Sequence, residues 1–174
     1  MPARVSEPIQ IVEYDPAWEM DFARVRLRLL TAVKDFAVAV EHVGSTAVPG
    51  LVGKPILDID VVVCSQFQVP LAIDRLVEIG YKPLGDLGIA GREAFDSLSN
   101  TPVHHLYVVV QDGEPWRNHI QFRDYLREHA EAAEAYASLK RSLAEKFRNN
   151  REGYTEAKTE FVHKILRMAR MKDH

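Results

Sequence analysis

Glu41-His42-Val43-Gly44-Ser45-Thr46-Ala47-Val48-Pro49-Gly50-Leu51 is followed, after Val52-Gly53, by Lys54-Pro55-Ile56-Leu57-Asp58-Ile59-Asp60-Val61-Val62-Val63. The reading of this stretch decides the fold. Its second half is the most strand-like run in the chain. Successive side chains of a strand point to opposite faces, so Leu57, Ile59 and Val61 share one apolar side. Asp58 and Asp60 interrupt the other side, between Ile56 and Val62. Two carboxylates on one side of a strand, ~6–7 Å apart, repel by roughly 2–3 kcal/mol at an effective dielectric near ~20. A divalent cation between them reverses that sign. Mg²⁺ (or Mn²⁺) suits such a pair, because it takes one or two carboxylates and completes its shell with water and phosphate oxygens. The bland alternative is a strand end or edge with both acids in solvent.

The first half supplies a second signal. Ala37 to Val43 reads as a strand, and Gly44-Ser45 follows it directly. The segment from Gly44 to Pro55 holds three glycines and two prolines, which predicts irregular backbone or at most a short helix. Free backbone N–H groups there, with the hydroxyls of Ser45 and Thr46, form a candidate cradle for phosphate oxygens. Lys54 adds a point charge. Gly-Ser alone is usually a turn. A strand, Gly-Ser, twelve intervening residues and Asp-Ile-Asp among apolar neighbours form a more specific compound pattern.

That pattern resembles the nucleotidyltransferase superfamily, the polymerase-β-like fold. The longer stretch resembles the GrpB family within it. The likeness continues in His104-His105-Leu106, in Phe122-Arg123-Asp124-Tyr125-Leu126-Arg127 and in the spacing of Tyr136, Leu139, Lys140, Tyr154 and Lys158, over about residues 8 to 170. The resemblance implies an α+β fold: a short mixed β-sheet flanked by helices, with a helical C-terminal third closing one side of a cleft. It implies Gly44 and Ser45 at phosphates, and Asp58 and Asp60 at a metal. The activity implied is Mg²⁺-dependent transfer of a nucleotidyl group from a nucleoside triphosphate, or binding of another phosphorylated small molecule. A second reading is a non-catalytic nucleotide-binding or regulatory module linked to coenzyme A biosynthesis, since GrpB-like domains can be fused to dephospho-coenzyme A kinases.

Nucleotidyltransferases usually add a third carboxylate from a later strand. The matching run here, His104 to Val110, has no Asp or Glu. It offers His105 and Tyr107 on one face, where relatives often have histidine in place of Tyr107. His105 therefore becomes the candidate base, phosphate donor or weak ligand. A metal site built from His42, His104, His105 and His119 is disfavoured, because no His-x-x-x-His pair occurs and His104 and His105 point to opposite strand faces. Arg123 shares a helical stripe with Trp116, Ile120 and Leu126, so it needs an anion; Asp58, Asp60 or a bound phosphate would serve. Arg127 reads as a surface cation. Lys140 and Lys158 match lysines the family tends to carry and are candidate phosphate ligands.

Around this centre the chain is ordinary. Its 174 residues fit one domain over 1–174, with an α/β portion over 1–113 and C-terminal helices over 114–174. Trp18, Phe22, Val25, Leu29, Val33 and Phe36 recur at helical spacing, after Asp15-Pro16 as a start signal. Three further helices are expected after Glu114, broken near His129 and near Asn149-Asn150. Hydrophobic residues make up 47% and charged residues 27%, which excludes wholesale disorder. A net charge of −3 makes nucleic acid an unexpected partner. No run reaches a membrane span, and the first residues lack a signal-peptide core, so a cytoplasmic protein is expected. The one cysteine, Cys64, permits no internal disulfide and reads as a small buried residue.

Overall fold

The alternating run becomes the centre of the sheet. In the computed structural model, which describes residues 7–173, Leu57–Val63 (β2) pairs antiparallel with Ala39–Val43 (β1) and parallel with His104–Val110 (β5). β5 continues antiparallel into Arg92–Phe95 (β4), and that strand into Pro83–Gly85 (β3). The order is β1-β2-β5-β4-β3, a five-stranded mixed sheet. Residues 1–6 and 174 of the expected domain lie outside the described residues.

The apolar side of β2 is the floor of the larger core. Leu57, Ile59, Val61 and Val63 are at most 2% exposed, and Leu106 and Val108 of β5 extend the same face. Two helices cover it. Ala17–Val33 (α1) contributes Trp18, Val25, Leu29 and Val33, the stripe read from the sequence. Val69–Glu78 (α2) contributes Ala72 and Leu76. The start signal of α1 acts one residue later than expected: Asp15 Oδ1 accepts from the Ala17 N–H at 2.9 Å, and the helix begins at Ala17. After α2, Gly80 at φ 104° lets the chain reverse, with the Tyr81 N–H reaching back to the Leu76 carbonyl at 3.1 Å.

The opposite, acid-bearing side faces the helical third. Glu114–Glu128 (α3), Ala130–Lys146 (α4) and Arg151–Lys172 (α5) begin and end where the sequence breaks predict. Their apolar sides close a second core on Val48, Leu51 and Val52 of the glycine-rich loop, with Leu126, Tyr136, Ala137 and Ile165. That loop starts with a single 3-10 turn, Ser45–Ala47.

One expectation is corrected. Cys64 is exposed, because β2 ends at Val63 and the chain leaves the sheet there. A single isolated bridge, Val12 to Gly53, ties the segment before α1 to the glycine-rich loop. No helix among the described residues is long and apolar enough to cross a membrane.

Candidate functional site

The register across the sheet assembles the site. Asp58 lies opposite Val43 on β1 and His105 on β5; Asp60 lies opposite Glu41 and Tyr107. Paired residues share a face, so these polar side chains meet between the sheet and the C-terminal helices. Asp58, His105 and Tyr107, together with the loop and helices, line a cleft of about 360 Å³. Of the residues expected there, Gly44, Ser45, Lys54, Asp58, His105, Lys140 and Lys158 line it, and Tyr107 does too.

Gly44 is needed for the approach of loop to strand. Its φ of 74° with ψ of −170° belongs to glycine alone, and a Cβ there would press on Asp58 Oδ2. His105 Nδ1 donates to Asp58 Oδ1 at 3.0 Å, which leaves Nε2 as the ring's acceptor nitrogen. Asp60 sits deeper, fully buried. Its Oδ2 accepts from His119 Nδ1 at 2.7 Å, while Oδ1 has no partner. Burial pushes the Asp60 carboxyl above its ordinary pKa; the His119 bond and charge pull it partly back, and Asp58 and Glu41 push it up again. At His119 burial opposes the charge, but the Asp60 bond and the charges of Asp60 and Asp58 outweigh it and raise its pKa.

These residues fit a divalent cation in one respect: an unpartnered buried carboxylate oxygen beside a second carboxylate is what a cation would satisfy. Asp58 and Asp60 would then be its protein ligands, with water and phosphate oxygens supplying the rest. No group of three or more His, Cys, Asp or Glu side chains arranged to hold a metal occurs among the described residues.

Facing the acids, three lysines converge. Lys140 is 2% exposed, and its Nζ donates to the Val52 carbonyl at 2.7 Å and bonds Ser45 Oγ at 2.7 Å. Burial, reinforced by Lys158 and Lys54 against the pull of Asp58, brings its pKa down to about 7. Burial and Lys54 bring Lys158 to about 8, and burial lowers Lys54 as well. Tyrosine rings, not carboxylates, support these ammonium groups. Lys158 lies 4.3 Å and Lys54 5.3 Å from the Tyr154 ring centre, and Lys140 lies 4.8 Å from that of Tyr136.

Three expected site residues are absent from the cleft lining. Asp60 is fully buried and turned to His119, with only Asp58 of the acid pair reaching the cleft. Thr46 is buried, its Oγ1 bonded to His42 Nε2 at 2.8 Å, because the 3-10 turn rotates it away from Ser45. Arg123 does find carboxylates, but neither Asp58 nor Asp60. Its guanidinium donates to Glu41 Oε2 and Asp124 Oδ1 at 2.8 Å each and to the His42 carbonyl at 3.1 Å, tying α3 to β1. Arg127, read as a surface cation, likewise anchors the turn through the Ala47 carbonyl at 2.9 Å. Arg123→Ala is therefore expected to cost about 2–3 kcal/mol, a fall of roughly 5–10 °C in Tm for a chain of this size. Ligand affinity of the folded fraction should change less than about threefold. Thermal denaturation beside calorimetry separates the two; lost affinity at unchanged Tm would place Arg123 among the ligand contacts.

The sequence reading did not single out Tyr136 or Arg92 as cleft residues, His119 as the partner of Asp60, or the rings beneath the lysines. One signal was present: Tyr136–Lys140 and Tyr154–Lys158 are each one helical turn apart, so each lysine can fold back over a ring.

Comparison with known proteins agrees with this architecture. The family described as GrpB protein matches residues 8–168. The glutamate-rich protein GrpB of Alkalihalophilus pseudofirmus is 37% identical over 90% of this chain and 92% of its own. The YqkA protein of Bacillus subtilis is 33% identical over 88% of this chain, which spans only 45% of YqkA. A dephospho-CoA kinase of Mycolicibacterium paratuberculosis is 26% identical over 93% of this chain and 46% of its own length. The crystal structure of GrpB from Enterococcus faecalis superposes with a TM-score of 0.83 at 34% identity, covering 94% of this chain and 98% of that one. A Cid1 poly(U) polymerase structure bound to MgATP superposes at 0.54 with 12% identity, over 76% of this chain and 44% of that one, a likeness of fold.

Proposed function

The chain belongs to the GrpB family, and on that premise we propose that its cleft takes the triphosphate of a nucleoside triphosphate and transfers the nucleotidyl group to an acceptor hydroxyl. The observation that carries this reading is the convergence of Lys54, Lys140 and Lys158 on the cleft that Gly44, Ser45 and Asp58 line. Three partly desolvated ammonium groups repel one another, and among the described residues no carboxylate is bound to them. A polyphosphate of three or four negative charges relieves all three at once.

The chain's residues divide the work. The lysines hold the phosphates, and the Gly44 turn admits them close to the backbone. Asp58 and Asp60 would hold Mg²⁺, which when bound neutralises charge on the reacting phosphate oxygens. Asp58 orients the His105 ring, and His105 Nε2 accepts the proton of the acceptor hydroxyl. The helices keep bulk water from the buried side of the cleft.

The binding-module reading keeps one specific observation in its favour. Asp60 is already engaged by His119, and among the described residues Asp58 is the one acid that lines the cleft. In that reading the phosphates bind without turnover. The dephospho-CoA kinase relative supports a link to coenzyme A biosynthesis by association alone.

Asp60→Asn tests the metal role. It removes a buried charge with an unpartnered oxygen, so Tm is expected to stay level or rise. The Mg²⁺ enhancement of triphosphate affinity should vanish, read by calorimetry with and without Mg²⁺. An unaltered Mg²⁺ enhancement would remove Asp60 from the metal site. Pyrophosphate release by the wild type then separates transferase from binding module.

A further inference from the structure

Lys140 and Ser45 form a contact that phosphate binding alone does not require. A buried lysine kept for structure normally bonds a carboxylate. This one bonds a carbonyl, Val52, and a hydroxyl, Ser45. The carbonyl can only accept, so one N–H of Lys140 is spent there and fixes the amine. At Ser45 the nitrogen is free to donate as ammonium or to accept as neutral amine. The amine form is populated near neutrality, because burial, Lys158 and Lys54 hold the pKa at about 7 against the pull of Asp58. The Tyr136 hydroxyl is also hydrogen-bonded to Ser45. The backbone is arranged for this meeting. A Cβ on Gly53 would lie 3.2 Å from both Lys140 Nζ and Ser45 Cβ, so glycine there leaves room for the pair. Ser45 opens into the same cleft as Lys54 and Lys158.

We propose that Ser45 is a nucleophile activated by Lys140, and that its hydroxyl takes up a phosphorus group from a phosphoric anhydride bound in the cleft. The Ser45 Oγ–P bond forms as the bridging P–O bond of the anhydride breaks. The departing phosphate keeps the bonding electron pair, and the hydroxyl proton passes to Lys140 in the fraction of complexes whose amine is neutral, a fraction that the bound anhydride lowers at a given pH. The product is a phosphoester on Ser45, either an intermediate on the way to the acceptor or a self-modification. The choice of substrate rests on the triphosphate reading above; the reactivity of Ser45 does not.

An alkyl fluorophosphonate tests the nucleophile without any nucleotide. It transfers its phosphonyl group to activated serines and releases fluoride. After digestion, mass spectrometry is expected to find the adduct on Ser45 ahead of every other serine. Its rate should rise with pH through about 7, as Lys140 loses its proton, and then level off. Burial first, then Lys158, Asp58 and Lys54, set the position of that titration, and the Tyr136 hydroxyl is bonded to the same serine. Lys140→Arg keeps a cation that cannot act as a base, and Lys140→Met keeps the shape without the charge; both should label about 10²–10⁴-fold more slowly. Circular dichroism and Tm report whether each variant is folded. Equal labelling in the folded arginine variant, or a wild-type Ser45 no more reactive than other serines, overturns the proposal. Triphosphate binding measured alongside keeps the two readings apart, since it can persist in a protein whose Ser45 is inert. Intact mass after incubation with a triphosphate and Mg²⁺ then reads whether a nucleotidyl or a phosphoryl group is gained.

Discussion

Triphosphate affinity is expected to fall by two to three orders of magnitude between about pH 6.5 and pH 9, on the proton linkage of the cleft lysines. Lys140 and Lys158 titrate near 7 and 8 in the ligand-free protein. A bound polyphosphate favours their charged forms and raises both. At high pH the ligand must therefore bring protons back, at a cost of about a hundredfold for Lys140 and about tenfold for Lys158 at pH 9. Below about pH 6 the terminal phosphate loses part of its own charge, so the optimum lies near neutrality. The ligand-free fold should respond in the opposite sense. An unfolded lysine keeps its proton to about 10.5, while Lys140 in the fold releases it at about 7. Between those values the unfolded state binds more protons, so stability gains from this residue as pH rises. Calorimetry with a non-hydrolysable triphosphate, and denaturation of wild type against Lys140→Met, read the two slopes. A pH-independent affinity would mean that the lysines do not meet the phosphates.

Gly44→Ala is expected to have the second largest effect. The backbone conformation at Gly44 costs an ordinary residue about 1–3 kcal/mol. The new methyl would also press on Asp58, whose Cβ and Cγ lie only 3.0 Å from its position. β2 holds Asp58 in register with Val43 and His105, so the carboxylate cannot retreat without breaking a pair. Tm should drop by roughly 5–10 °C, and both metal dependence and nucleotide affinity should fall by more than about tenfold. Denaturation followed by calorimetry on the folded protein checks both. Full affinity at wild-type Tm would show that the turn relaxes freely and that Gly44 is only a connector.

The Asp-Ile-Asp strand, the Gly-Ser turn and the three C-terminal helices were legible because their signals are local. Alternation over seven residues determines which side of β2 is apolar, whatever packs on it. A glycine or proline ends an element through its own backbone. The stripe from Trp18 to Val33 buries as its spacing predicts for the same reason. His105 beside Asp58 also followed, once two parallel neighbours were placed in register.

Which polar groups meet across the chain was decided by tertiary packing alone. Arg123 was correctly read as needing an anion, but its place on α3 brings it to Glu41, 82 residues away, and not to Asp58. Thr46 and Ser45 are adjacent and chemically alike, yet one turn of 3-10 helix puts one in the core and the other in the cleft. Cys64 is exposed because β2 stops one residue before it. The lysine cluster depends on two helices and a loop docking so that Lys54, Lys140 and Lys158 converge. Their lowered pKa values come from burial and mutual repulsion, which no single segment contains. Composition and periodicity determined the sheet and its helices through the chain's local stereochemistry. Charge, proton affinity and partner choice at the site waited on the fold, because desolvation and Coulomb interactions act through space between residues far apart in sequence.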